Sequence, residues 1–142
     1  PSALHGVELD MGDCPDLVPT VAVLAAFAQG STRVNNVAHL RYKESDRISA
    51  PAQELAKAGV VIDQLSDGML IHGLAGRGNG KPNCPLLPEG TALSAHNDHR
   101  IAMSLALLGL RQPEVSVRDL LDDPLVVRKS FPQFWNIWEH MA

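Results

Sequence analysis

Asp16-Leu17-Val18-Pro19-Thr20-Val21-Ala22-Val23-Leu24-Ala25-Ala26-Phe27-Ala28-Gln29-Gly30-Ser31-Thr32-Arg33-Val34-Asn35-Asn36-Val37 is the stretch that decides how this chain folds. Val21 through Ala28 is apolar on every side, as in a helix buried between layers rather than laid on a surface. Asp16 is the expected N-cap. Pro19 falls in the first turn, where its missing N–H costs little, and Gly30 is the expected C-cap. Thr32 to Val37 then reads as a strand. Upstream, Val7-Glu8-Leu9-Asp10 alternates apolar and polar residues, as a half-buried strand does.

Downstream, a second helix is expected within residues 43–58, with Ile48, Ala52, Leu55 and Ala56 on one face and Gly59 at its end. Pro51 inside it requires a kink, or a regular part that starts only near Ser49. Val60-Val61-Ile62 and Met69-Leu70-Ile71 read as strands joined by a turn at Asp67-Gly68. Residues 1–73 thus read βαβαββ. Residues 74–90 are rich in Gly and Pro and read as a loop. The order then begins again in residues 91–142. A strand is expected at Thr91–Ala95, a helix capped by Asn97 or Asp98 and running to Leu108, and a strand at Val115-Ser116-Val117. A last helix has Ser130 and Gln133 as a capping box and Phe134, Ile137, Trp138 and Met141 at helical spacing. Val21 to Phe27 also resembles Ile101 to Leu107. A repeat of roughly 80 residues is therefore expected, its second unit partial and completed by strands elsewhere in a longer chain.

Composition narrows the function. The 142 residues carry 12 Lys and Arg against 16 Asp and Glu, a net charge of -4, and 45% are hydrophobic. A general nucleic-acid binder would be basic, and a disordered chain would be less apolar. No apolar run approaches the ~18 residues of a membrane span. Cys14 and Cys84 are too few for a disulfide scaffold, which fits a reducing, cytoplasmic setting, and no signal peptide is visible. A chain that opens at Pro1 without a methionine is expected to be cut from a longer protein.

The positions of the cations say more than their number. Arg41, Lys43 and Arg47 flank the start of the second helix, Arg100 lies in the first turn of the third, and Arg128 and Lys129 precede the last. Cations are unfavourable at the positive end of a helix dipole. Their recurrence there calls for an anion, and N–H groups with Arg and Lys make a phosphate or carboxylate site. Asp16, Glu44 and Asp98 lie close to them in sequence. A site holding an anionic ligand beside carboxylates can also move protons.

Leu40-Arg41-Tyr42-Lys43-Glu44-Ser45-Asp46-Arg47, Asn97-Asp98-His99-Arg100-Ile101-Ala102-Met103, Lys129-Ser130-Phe131-Pro132-Gln133-Phe134 and Asp16-Leu17-Val18-Pro19-Thr20 resemble four motifs of the 5-enolpyruvylshikimate-3-phosphate (EPSP) synthase family, also called 3-phosphoshikimate 1-carboxyvinyltransferase. The match covers nearly the whole chain outside the Gly- and Pro-rich loop, and resembles the C-terminal third of an enzyme about three times longer.

The resemblance implies a mixed α/β (α+β) fold of βαβαββ units with mixed parallel and antiparallel sheets, an enolpyruvyl-transferase-like lobe. It implies transfer of the enolpyruvyl group from phosphoenolpyruvate to the 5-hydroxyl of shikimate 3-phosphate, with phosphate released and no metal or organic cofactor. Asp16 would bind the 5-hydroxyl and act as general base, and Lys43 would touch the same region. Glu44 would take part in proton transfer at the methylene carbon. Arg47, Arg100 and Lys129 would bind phosphoenolpyruvate, and Lys43, His99 and Lys129 would belong with Asp16 and Glu44 to the catalytic group, His99 in a supporting role. The remaining contacts belong to the missing N-terminal part of the enzyme, so this chain alone is expected to be inactive. His39 stands where many members carry Asn.

Other features are weaker. His96 and His99 flank Asp98, but Arg100 beside them disfavours a metal ion. Gly76-Arg77-Gly78-Asn79-Gly80-Lys81 lacks the context of a phosphate loop. Cys14 reads as a small residue and Trp135 and Trp138 as packing residues of the last helix. The rival functions are enolpyruvyl transfer to a UDP-sugar in wall synthesis and a non-catalytic anion-binding module.

Overall fold

A computed structural model describes residues 3–76 and 84–141. Most of the 76–81 glycine-rich motif and the middle of the expected 74–90 loop lie outside the described residues. The first half runs β1 (Glu8–Asp10), α1 (Val18–Ala26), β2 (Ser31–Asn35), α2 (Ser49–Ala56), β3 (Val61–Gln64) and β4 (Met69–His72). This is the βαβαββ order read from the sequence. The strands form one open mixed sheet in the order β1-β2-β4-β3. β1 pairs parallel with β2, while β4 pairs antiparallel with both β2 and β3.

One face of the sheet is covered. Val34, Met69 and Ile71 are fully buried and Thr32 nearly so, while Ser31 and Arg33 face outward. Such alternation pins the register, because a slip by one residue would turn the apolar set to water. α1 packs against β4 and β2 on one side and α3 (His99–Ala106) on another. Its buried side chains are Val18, Pro19, Ala22, Val23, Ala25 and Ala26, whereas Leu24 is exposed. Gly68 lets the β3–β4 turn close on β2, since a Cβ there would sit 1.8 Å from the Val34 carbonyl oxygen.

Several local expectations are corrected. Asp16 does not cap α1; it lies in a 3-10 turn, Pro15–Leu17, and Leu17 occupies the cap position. The helix ends at Ala26, and Gly30, in the left-handed region at φ 80°, instead leads into β2. Of the two alternatives for Pro51, the later start holds: α2 begins at Ser49, so Pro51 sits in its first turn and no kink is needed. Its inward face is Ala50, Pro51, Glu54 and Leu55; Ala52 is half-buried and Ala56 exposed.

In the second half, the strands expected at 91–95 and 115–117 do not form. Leu93 makes a single parallel bridge to Leu121, and Val117–Leu120 is a short helix, α4. With no strand beside it, Val117 satisfies its backbone in a turn of helix, while Val115 lies in a bend and Ser116 at the N-cap position. The last helix, α5 (Phe134–Met141), buries Trp135, whose indole N–H donates to the Pro124 carbonyl at 2.7 Å. Ile137 and Met141 of the expected face are exposed.

Candidate active site

The sheet and helices bring two sequence-distant segments, and one neighbouring carboxylate, onto one guanidinium. Arg47 lies just ahead of Ile48, the N-cap position of α2, and its side chain is 2% exposed. Its Nε donates to Asp98 Oδ2 at 2.8 Å and its Nη2 to Asp98 Oδ1 at 3.2 Å. Nη1 donates to Asp16 Oδ1 at 3.0 Å, and Nη2 also donates to Glu44 Oε2 at 2.7 Å. A buried charge is tolerated only when paired and hydrogen-bonded, and this planar fork meets both conditions.

Asp98 is the partner that fixes the clamp. It is fully buried, receives Ser45 Oγ at 2.7 Å, and caps α3 by accepting the Arg100 backbone N–H at 2.9 Å. Burial alone would raise its pKa; the bonds from Arg47, Ser45 and Arg100 outweigh that and hold it below the usual carboxylate value. Burial likewise opposes the charge on Arg47, but Asp98, Glu44 and Asp16 hold its pKa above the ordinary value.

Arg100 and Lys129 join this pair through Asp16 and Asn97. Arg100 Nη2 lies 3.2 Å from Asp16 Oδ2, so Asp16 bridges Arg47 and Arg100. This explains why it caps no helix. Lys129 lies at the end of a 3-10 helix, Pro124–Lys129, rather than at the start of α5. Its Nζ donates to both the carbonyl and the side-chain oxygen of Asn97 at 2.9 Å, beside Asp98. His99 is buried, and its Nδ1 has no hydrogen-bond partner among the described residues. Lys43 and Glu44 are exposed. Arg41, by contrast, turns to Asp46 at 3.0 Å and to the Leu65 carbonyl at 3.1 Å, staying out of the cluster.

Arg47, Arg100 and Lys129 therefore face Asp16, Glu44 and Asp98, and the cluster is close to neutral. Four of the five N–H donors of Arg47 are engaged by the chain's own carboxylates. An arriving anion must displace Asp16 or Glu44, both about half exposed, rather than buried Asp98. Among the described residues, no group of three or more His, Cys, Asp or Glu is placed to hold a metal ion. Cys14 is exposed. Ser45 and Asn97 were not among the expected site residues, although both lie inside the quoted motifs; Asp98 was expected as a carboxylate near the cations, but not as the buried partner of Arg47.

Known proteins resemble this chain in sequence and in fold. Residues 1–138 match the model of the family described as EPSP synthase (3-phosphoshikimate 1-carboxyvinyltransferase). The chain belongs to the EPSP synthase family. It is 46% identical over 138 residues to the 3-phosphoshikimate 1-carboxyvinyltransferase of Syntrophobacter fumaroxidans, covering 97% of this chain and 29% of that protein. It is 46% identical over 122 residues to the enzyme of the same name from Methanocella arvoryzae, covering 84% of this chain and 26% of that one. The solved structure of EPSP synthase from Acinetobacter baumannii superimposes with a TM-score of 0.76 at 29% identity, over 97% of this chain and 30% of that chain. The chain thus spans less than a third of the length of these EPSP synthases.

Two outcomes follow from the clamp. Asp98→Asn breaks a buried, hydrogen-bonded pair and should cost about 3–5 kcal/mol in urea unfolding at neutral pH. Because the folded Asp98 pKa is lowered, its contribution is present above the unfolded value of about 4 and is lost as pH falls through the folded value. The variant should therefore show a flatter loss of stability on the acid side than the parent chain. Glu44→Gln removes the exposed competitor for Arg47 Nη2. Inorganic phosphate, titrated by NMR, should bind about two- to fivefold more tightly, matching the ~0.5–1 kcal/mol an exposed pair is worth.

Proposed function

We propose that this chain supplies the guanidinium–carboxylate half of an enolpyruvyl-transfer site. In the full-length protein that site would join phosphoenolpyruvate to the 5-hydroxyl of shikimate 3-phosphate and release phosphate. The product precedes chorismate and the aromatic amino acids. The observation that carries this reading is the convergence of Asp16, Glu44 and Asp98 on Arg47, with Arg100 bridged to the same Asp16. Membership of the EPSP synthase family and the likeness to the named enzymes support it. We further propose a cytoplasmic setting; no helix among the described residues is long and apolar enough to cross a membrane.

The chemistry assigns each group a part. A proton reaches the methylene carbon of phosphoenolpyruvate and makes the adjacent carbon electrophilic. The 5-hydroxyl attacks that carbon as it loses its own proton, and the tetrahedral adduct expels phosphate when a proton is removed from the new methyl group. Glu44 is the exposed acid and base for the methylene carbon, and Asp16 is the base for the hydroxyl. Arg47, Arg100 and Lys129 hold the carboxylate and phosphate, whose charge would otherwise repel the carboxylates. Lys43 meets the shikimate hydroxyl region, and His99, next to Arg100 in the chain, has a supporting role. Asp98 keeps Arg47 in place when Asp16 and Glu44 leave it for substrate. The shikimate phosphate and further phosphoenolpyruvate contacts are assigned to the rest of the enzyme, the partner this chain requires.

The test is a titration of the isotopically labelled chain with phosphoenolpyruvate, shikimate 3-phosphate and a UDP-sugar. Shifts at Arg47, Arg100 and Lys129 with phosphoenolpyruvate, and at Asp16 and Lys43 with shikimate 3-phosphate, are expected. The pure chain should release no phosphate from the two substrates together. Response to the UDP-sugar instead would favour wall-precursor synthesis, and response to none would favour a non-catalytic module. Phosphate release by the chain alone would contradict its being half of a site.

A further inference from the structure

Glu54 is a buried carboxylate that the proposed chemistry does not use. It lies on the inward face of α2, with its side chain 2% exposed. Oε2 accepts the Ser94 backbone N–H at 3.0 Å and Lys57 Nζ at 2.7 Å. Oε1 lies 2.8 Å from His96 Nε2. Lys57 continues to the Ala92 carbonyl at 2.9 Å. From the other side, Asp122 accepts Ser94 Oγ and the Ala95 N–H, each at 2.8 Å. Segment 92–96 is therefore gripped by two carboxylates from outside it.

What they grip is an unusual backbone. His96 and Asn97 are both left-handed, at φ 51° and 53°. Side chains with a Cβ disfavour that region, and two in succession persist only where their surroundings determine them. The same turn sets three groups of the site. The Asn97 carbonyl receives Lys129, the Asp98 carboxylate holds Arg47, and Asp98 caps Arg100. The segment entering α2 and α2 itself thus hold this turn at two points, through Arg47, just ahead of the Ile48 cap position, and through Glu54, nearly two turns further on. An apolar residue at 54 would fill the core without the cost of burying a charge, but it could not hold Ser94 or His96.

We propose that Glu54 is a positioning residue for the anion site, acting through His96 and Ser94 to hold the 94–98 turn that presents Asp98, leads into Arg100 and receives Lys129. The identity of the anion rests on the enolpyruvyl-transfer reading; the positioning does not.

The experiment compares NMR spectra of the ligand-free chain with those of Glu54→Ala, His96→Ala and Gln112→Ala. Gln112 is a control: it is buried and its side chain bonds to Leu87, not to the turn. Glu54→Ala and His96→Ala should both move the Arg100 amide, the Arg47 Nε–H and the Lys129 side-chain signals in the same directions. Gln112→Ala should lower the melting temperature yet leave those signals in place. Phosphoenolpyruvate affinity should fall roughly tenfold in the first two variants and not in the third, since small misplacements of a ligand-holding group are felt strongly. Unmoved Arg100 and Arg47 signals in His96→Ala, or equal movement in Gln112→Ala, would overturn the proposal. If Glu54→Ala does not fold, His96→Ala decides. Failure of the parent chain to bind phosphoenolpyruvate would count against the enolpyruvyl-transfer reading, and the ligand-free signals would still decide the role of Glu54.

Discussion

A buried arginine that cannot lose its charge must be given partners, and in this chain that need organises the tertiary structure. Arg47 takes Asp16 from the turn before α1, Glu44 from the loop before α2, and Asp98 from the start of α3. These segments come from both halves of the sequence. The clamp therefore depends on α1 lying between the sheet and α3, which the apolar run from Val18 to Ala26 secures by burial. In return, the clamp fixes where α2 and α3 begin relative to each other. An apolar residue at position 47 could serve the core equally well. Retention of the charge is best understood through the anion that it and Arg100 can receive.

The strength of the clamp is uneven, and the unevenness suits exchange. Asp98 is fully buried and makes two bonds to Arg47, while Asp16 and Glu44 are about half exposed and make one each. Water weakens the exposed pairs far more than the buried one. In the proposed reaction, the exposed carboxylates leave for substrate protons while the buried one keeps the guanidinium aimed.

Much of this was legible in the sequence. The βαβαββ order of the first half followed from the apolar run around Val21 and from alternation in the strands. The residues that meet at Arg47 lay in motifs that could be quoted before any coordinates. What failed did so for identifiable reasons. Asp16 has the composition of an N-cap, but two guanidiniums compete for its carboxylate and win. Val115 to Val117 has strand propensity but finds no partner strand among the described residues. The inward face of α2 was misassigned because Pro51 and Glu54 look like surface residues. Positions 51, 54, 55 and 58 nevertheless share helical spacing, and Pro51, Glu54, Leu55 and Ala58 are all buried. That spacing was the available signal for Glu54. No local pattern could have foreshadowed the left-handed pair His96 and Asn97, which is held by side chains from elsewhere in the chain.

The central claim is that Arg47 is immobilised by three carboxylates before any ligand arrives. Side-chain 15N NMR of Arg47 tests it most directly. Separate, slowly exchanging Nη signals and a protected Nε–H are expected, in contrast to Arg118, whose single exposed pair with Glu139 should leave it averaged. An Arg47 guanidinium that rotates and exchanges as freely as that of Arg118 would contradict the account.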